Sequence, residues 1–192
     1  IGGYTRLSGS GLSITEWKPI HGAVPPLNAY EWQEEFDAYK RSPQYIKVNH
    51  GMTLAEFKVI FWPEFLHRLL GRAIGTVFFI PLIIFAARRS LSKRFGWRLA
   101  GIFALGGLQG LIGWLMVRSG LVNDPHVSVY RLALHLSMAL LIYALLLWAI
   151  AGLVTPAKAG AQTLKEMGTG FRRYDGETSY TLWFAALCIQ IV

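Results

Sequence analysis

The sequence holds one cysteine, Cys188. That excludes an internal disulfide and any metal cluster built on cysteine. Acidic residues are also scarce, 11 against 19 Lys and Arg in 192 residues, which leaves a formal net charge of +8. Such an excess would ordinarily suggest nucleic acid. Here the basic residues collect beside apolar runs, where they set membrane topology, so nucleic acid is set aside as a partner. No internal repeat is found. Neither an initiator Met nor a signal peptide opens the chain. Ile1-Gly2-Gly3 reads as the start of a fragment whose preceding helix is missing.

What is abundant is apolar. Hydrophobic residues make up 53% of the chain, too many for an ordinary soluble domain, and this points to an integral membrane protein. Three runs reach the roughly 20 residues that a spanning helix needs. They are 59–87, kinked at Pro81, then 99–117, interrupted only by Gln109, and 132–154, ended by Thr155-Pro156. The expected class is all-α, a membrane-spanning helix bundle with a partly helical outer loop. Between the first two runs lie Arg88, Arg89, Lys93, Arg94 and Arg98, with no acid among them. The second connection has only Arg118 and Arg131 at its ends, with Asp124 and His126. The positive-inside rule places the first connection in the cytoplasm, or on the equivalent matrix side. Residues 1–56, the second connection, and the starts of the first and third helices are then outside.

Residues 1–56 read as an ordered outer loop. Gly2-Gly3, Ser8-Gly9-Ser10-Gly11 and Pro25-Pro26 punctuate it. Asn28 caps a helix over about 29–41 in which Tyr30, Phe36 and Tyr39 give a partly apolar face. Thr53-Leu54-Ala55-Glu56 is a capping box that leads into the membrane region 57–154. Residues 155–192 form a divergent cytoplasmic tail: small residues over 156–162, polar ones over 171–177, and an apolar stretch over 181–192 too short to span. That last stretch is either the start of a truncated helix or an unrelated reading-frame extension.

Two histidines stand near the ends of apolar runs that face the same side. His67 lies in Glu64-Phe65-Leu66-His67-Arg68, and His135 in Arg131-Leu132-Ala133-Leu134-His135. Ionisable groups in lipid are costly and usually serve a function. Two imidazoles from different helices at matched depth suit the axial positions of a heme iron. Arg68, Arg72 and Arg131 offer cations for the propionates of such a macrocycle. Glu64, three residues before His67, shares its helix face and is placed to move a proton or stabilise positive charge. Each residue also has a plainer reading. A membrane histidine can hydrogen-bond a neighbouring helix, arginines at helix ends can snorkel, and Glu64 can pair with an arginine. Gln109 reads as an interhelical hydrogen bond, the glycines around it as close packing, and His21, His50 and His126 as solvated loop residues.

These residues resemble the heme A synthase family. The likeness runs from Gly2-Gly3-Tyr4-Thr5-Arg6-Leu7 and Ser10-Gly11-Leu12-Ser13 through Trp17, Gly22, Pro25-Pro26, Trp32 and Phe36. It continues in Asn49-His50-Gly51-Met52-Thr53, Glu56-Phe57-Lys58, Glu64-Phe65-Leu66-His67-Arg68 and Gly71-Arg72. Gln109-Gly110-Leu111-Ile112-Gly113-Trp114 and Tyr130-Arg131-Leu132-Ala133-Leu134-His135-Leu136 complete it, over roughly residues 1–154. The absence of a cysteine pair in the outer loop resembles the mitochondrial-type branch.

The resemblance implies an oxidoreductase that converts heme O to heme A by oxidising a ring methyl to formyl, for cytochrome c oxidase assembly. It implies an eight-helix protein made of two four-helix halves, each with a histidine pair, and this chain is similar to the first, substrate-heme half. It makes His67 and His135 the iron ligands and Glu64 the family's essential glutamate, while Arg68, Arg72 and Arg131 stand as the substrate-binding candidates from the residues themselves. The implied partners are heme O, membrane lipid, heme O synthase, an electron acceptor and a second copy of the chain. A heme b cofactor is expected in the second half, which residues after Thr155 do not resemble. The expected location is the bacterial inner membrane or the mitochondrial inner membrane. Two other readings remain: a non-catalytic bis-histidine membrane cytochrome, and a structural membrane protein whose histidines pack.

Overall fold

The computed structural model describes residues 1–17, 21–122 and 124–167, with side chains as far as Ala151 except that of His21. Among them are helices and no strand, in agreement with the all-α expectation. Among the described residues, three helices are long and apolar enough to cross a membrane: Leu54–Ala87 (α4), Lys93–Ser119 (α5) and the Val129–Ala151 part of Val129–Met167 (α6). The whole helices α4, α5 and α6 are each longer than the run expected from hydropathy alone, because helices continue into the polar flanks that a hydropathy window excludes.

Three short helices precede them: Gly2–Leu7 (α1), Ala29–Lys40 (α2) and Pro43–Lys47 (α3). The first corrects the expectation of a loop at Gly2-Gly3. The helix is closed at its far end instead, where Gly9 takes φ 65°. There Ser10 N–H donates to Thr5 O at 3.0 Å and Gly9 N–H to Arg6 O at 3.2 Å, the paired bonds of a glycine-terminated helix. The predicted cap of α2 is present: Asn28 accepts from the Glu31 N–H at 2.9 Å. Its apolar face is Trp32, Phe36 and Tyr39; Tyr30, expected on that face, is exposed. Trp32 stands four residues before Phe36 and therefore shares its stripe, whereas Tyr30 is six residues away and does not.

The Thr53 capping box also forms. Thr53 N–H donates to Glu56 Oε2 at 2.8 Å, and Glu56 N–H donates back to Thr53 Oγ1 at 3.3 Å. Beyond it α4 continues through both Pro63 and Pro81. Likewise, α6 does not stop at Thr155-Pro156 but runs on to Met167. A proline removes one intrahelical donor, a loss that helices in lipid tolerate when neighbouring groups satisfy the freed carbonyl. The stretches 171–177 and 181–192, with Cys188, lie outside the described residues.

The chain divides into two units. The first comprises residues 1–73 and 108–136. Its core is aromatic: Trp32, Phe36, Tyr39, Phe57, Phe61 and Phe65, with Ile14, Tyr45 and Met52 against them. The second comprises residues 74–107 and those from 137 onward. Its core is Phe78, Leu82, Leu99 and Ile102, packed by Leu91, Phe95, Ile142, Leu145, Leu146 and Ala149. The first unit thus takes the start of α4, the end of α5 and the start of α6. His67 and His135 both fall within it.

Candidate functional site

Glu64 is 2% exposed, one turn before His67 on α4. A buried carboxylate in an apolar helix needs donors, and the N-terminal segment supplies them. Ser13 Oγ donates to Glu64 Oε2 at 2.7 Å, and the Ile14 N–H donates to the same oxygen at 2.8 Å. The other oxygen, Oε1, takes Nη2 of Arg68, forming an ion pair across one helical turn. Arg68 in turn donates from Nη2 to Ile14 O at 2.8 Å and from Nη1 to Glu16 O at 3.2 Å. The carboxylate and the guanidinium together therefore grip both polar faces of the segment around Ile14. Trp17, just beyond, packs its ring on Trp114 of α5 with centroids 4.7 Å apart. Leu12, just before, lies where a Cβ on Gly120 would stand, 2.8 Å away.

Both histidines meet glycine. A Cβ at Gly2 would stand 3.2 Å from His67 Nε2, so α1 lies against that ring edge. A Cβ at Gly113 would stand 2.8 Å from His135 Cε1. The two imidazoles are half-buried. His135 Nδ1 and Gln109 Oε1 are buried without a hydrogen-bond partner. The unit therefore holds two half-buried imidazoles, each with a glycine backbone against its edge, and His135 Nδ1 is left without a protein partner for a ligand to meet.

The remaining predicted residues are placed less uniformly. Arg72 is half-buried one turn beyond Arg68 on α4. Arg131 is exposed and donates from Nη1 to Leu115 O at 2.7 Å. With Arg118, Leu115, Ser119 and Val122 it lines a cavity of about 370 Å³. Arg118, whose guanidinium lies 5.4 Å from the Trp114 ring centre, carries no sequence signal beyond its charge at the start of a loop. His50 and His126 are exposed, and His126 pairs with Asp124 at 2.8 Å. Ser13 had no signal beyond its place in a family-like motif. Its role comes from a contact across 51 residues of chain.

The family model described as COX15-CtaA, cytochrome oxidase assembly protein, matches residues 1–192. The chain belongs to the COX15-CtaA family. The family match extends through the tail, beyond the 1–154 covered by the motifs above. Among curated relatives, the heme A synthase of Nitrosomonas eutropha is 54% identical over 156 residues, covering 81% of this chain and 44% of that protein. The heme A synthase of Agrobacterium fabrum is 59% identical over 153 residues, covering 80% and 42%. The chain thus spans less than half the length of the curated COX15-CtaA relatives it matches. No solved structure matches.

Proposed function

We propose that this chain is the substrate-heme half of a heme A synthase, in which heme O has a ring methyl oxidised to a formyl group. One observation carries the reading: His67 and His135 lie together in one unit, with the buried Glu64 one turn from His67. In this reading the two imidazoles hold the iron of heme O. Arg72 and Arg131 meet its propionates, and Arg68 joins them while it holds the segment around Ile14. Glu64 sits beside the macrocycle edge, where a carboxylate can accept a proton or stabilise a developing cation. In this reading a heme b cofactor is expected in a second half of the synthase, and the electron acceptor is a separate partner.

The net charge of the first connection supports an orientation with residues 88–98 inside and the histidines toward the outer face of a bacterial or mitochondrial inner membrane. The test of the reading is Glu64→Gln in membranes that make heme O. Glutamine keeps acceptor capacity for Ser13 and the Ile14 N–H but cannot take a proton as the carboxylate does. The protein level and bound heme should persist while heme A falls and heme O or a hydroxylated form accumulates. Normal heme A would refute the role of Glu64. A stable bound heme with no heme A from the unaltered protein would point to a non-catalytic cytochrome.

A further inference from the structure

Gln109 and Gly113 have no part in the reading above, yet both touch His135. They are four residues apart on α5 and so share one helix face. Gln109 Nε2 donates to the backbone carbonyl of His135 at 3.0 Å, and the same nitrogen lies 3.5 Å from His135 Nε2. One turn along, the bare backbone of Gly113 meets the other part of the ring. A Cβ there would stand 2.8 Å from Cε1, 3.4 Å from Nδ1 and 3.5 Å from Nε2. Other glycines of α5 lack this relation: a Cβ at Gly106, Gly107 or Gly110 would meet nothing within 4 Å. A general need for close helix packing therefore does not explain Gly113. A methyl at that position has to turn the imidazole.

We propose that Gln109 and Gly113 form a seat on α5 that sets the rotation of the His135 ring, which makes both of them positioning residues for an axial ligand. The proposal rests on the reading that His135 binds the iron of a heme. Gln109 ties the backbone of α6 at the ligand's own residue, and Gly113 leaves room for the ring in the orientation that a side chain there would displace. Groups that orient a metal-bound imidazole commonly change metal affinity by roughly 10–100-fold when removed. The angle between two axial imidazole planes also governs the g values of a low-spin ferric heme, so rotation of one ring has a spectroscopic signature separate from turnover.

The test uses the whole protein extracted in detergent, with hemin as the probe, read by titration and by low-temperature EPR. His135→Ala defines the signal that depends on this ligand. Gly113→Ala and Gln109→Leu should each weaken the His135-dependent binding by roughly 10–100-fold or shift its largest g value. Gly110→Ala, a methyl added to the same helix in open space, should bind as the unaltered protein does. Gln109→Leu adds no bulk beside the ring, so it must show the shift even where Gly113→Ala fails to fold. If His135→Ala leaves the signal unchanged, the underlying heme reading fails. If His135→Ala removes it while Gly113→Ala and Gln109→Leu keep the affinity and g values, the seat is overturned and the heme reading stands. An equal effect from Gly110→Ala would also overturn the seat.

Discussion

The two units take their segments from the same three long helices but are held together by different means. In the second, Phe78, Leu82, Leu99 and Ile102 pack with other apolar side chains, and Phe78 and Phe79 stack on Phe103. Arg98 contributes its guanidinium to the face of Trp148 at 5.1 Å. In the first, an aromatic core is joined to a buried carboxylate, an arginine and a serine. Apolar packing in lipid has no water-driven preference for one partner over another, because lipid tails are as apolar as leucine. A buried charge has few acceptable partners and so specifies one arrangement. The second unit is built to pack, and the first to place particular groups.

The largest effect should come from Glu64→Ala. It leaves Arg68 without its carboxylate and frees both Ser13 and the Ile14 N–H. Breaking a buried pair by removing one partner costs roughly 3–5 kcal/mol. Thermal unfolding in detergent should fall accordingly, with new protease cleavage within residues 10–17. An unchanged melting temperature and an intact segment would show that the grip around Ile14 carries no stability.

Phe78→Ala sharpens the contrast from the other side. In a water-driven core, Phe→Ala costs about 3–5 kcal/mol. In lipid the packing part alone remains, so the loss should be smaller than for Glu64→Ala. Hemin binding should be unaffected. A lost heme signal on Phe78→Ala would erase the distinction between the units.

Ser13→Ala should cost about 1 kcal/mol, the usual net worth of one hydrogen bond, because the Ile14 N–H still serves the same carboxylate oxygen. Urea unfolding of the detergent-solubilised protein measures it. Combined with Glu64→Ala, the two losses should not add, since both remove the one contact between Ser13 Oγ and Glu64 Oε2. Full additivity would mean that Ser13 and Glu64 act separately. Smaller or similar in size is Asn28→Ala, which removes the α2 cap at a typical cost of about 1 kcal/mol. It should leave hemin binding as it was.

The sequence made the three long helices and both polar N-termini legible for local reasons. Thr53 with Glu56 and Asn28 with Glu31 sit three residues apart, and their partners are neighbours in the chain. Helix ends governed by longer-range satisfaction were less legible. α1 was hidden because Gly2-Gly3 suggests a turn, while the signal that mattered was Gly9 at the other end. α6 passes Pro156 and runs on to Met167, so this proline is not the stop that its sequence context suggests. Within the site, spacing alone paired Glu64 with the face of His67. It could not show that Ser13 and Ile14, distant in the chain, engage the carboxylate and occupy Arg68. Gln109 was legible as an interhelical hydrogen bond, and it donates to the His135 carbonyl. The closeness of Gly113 to the His135 ring needed coordinates.

The placing role of the first unit is tested most directly by the ferric EPR spectrum of the detergent-extracted protein loaded with heme O, compared with His67→Ala and His135→Ala. If these two imidazoles hold the iron, a low-spin signal of two axial imidazoles appears on loading and is lost in each variant. A heme O signal that survives both substitutions would contradict the assignment of His67 and His135.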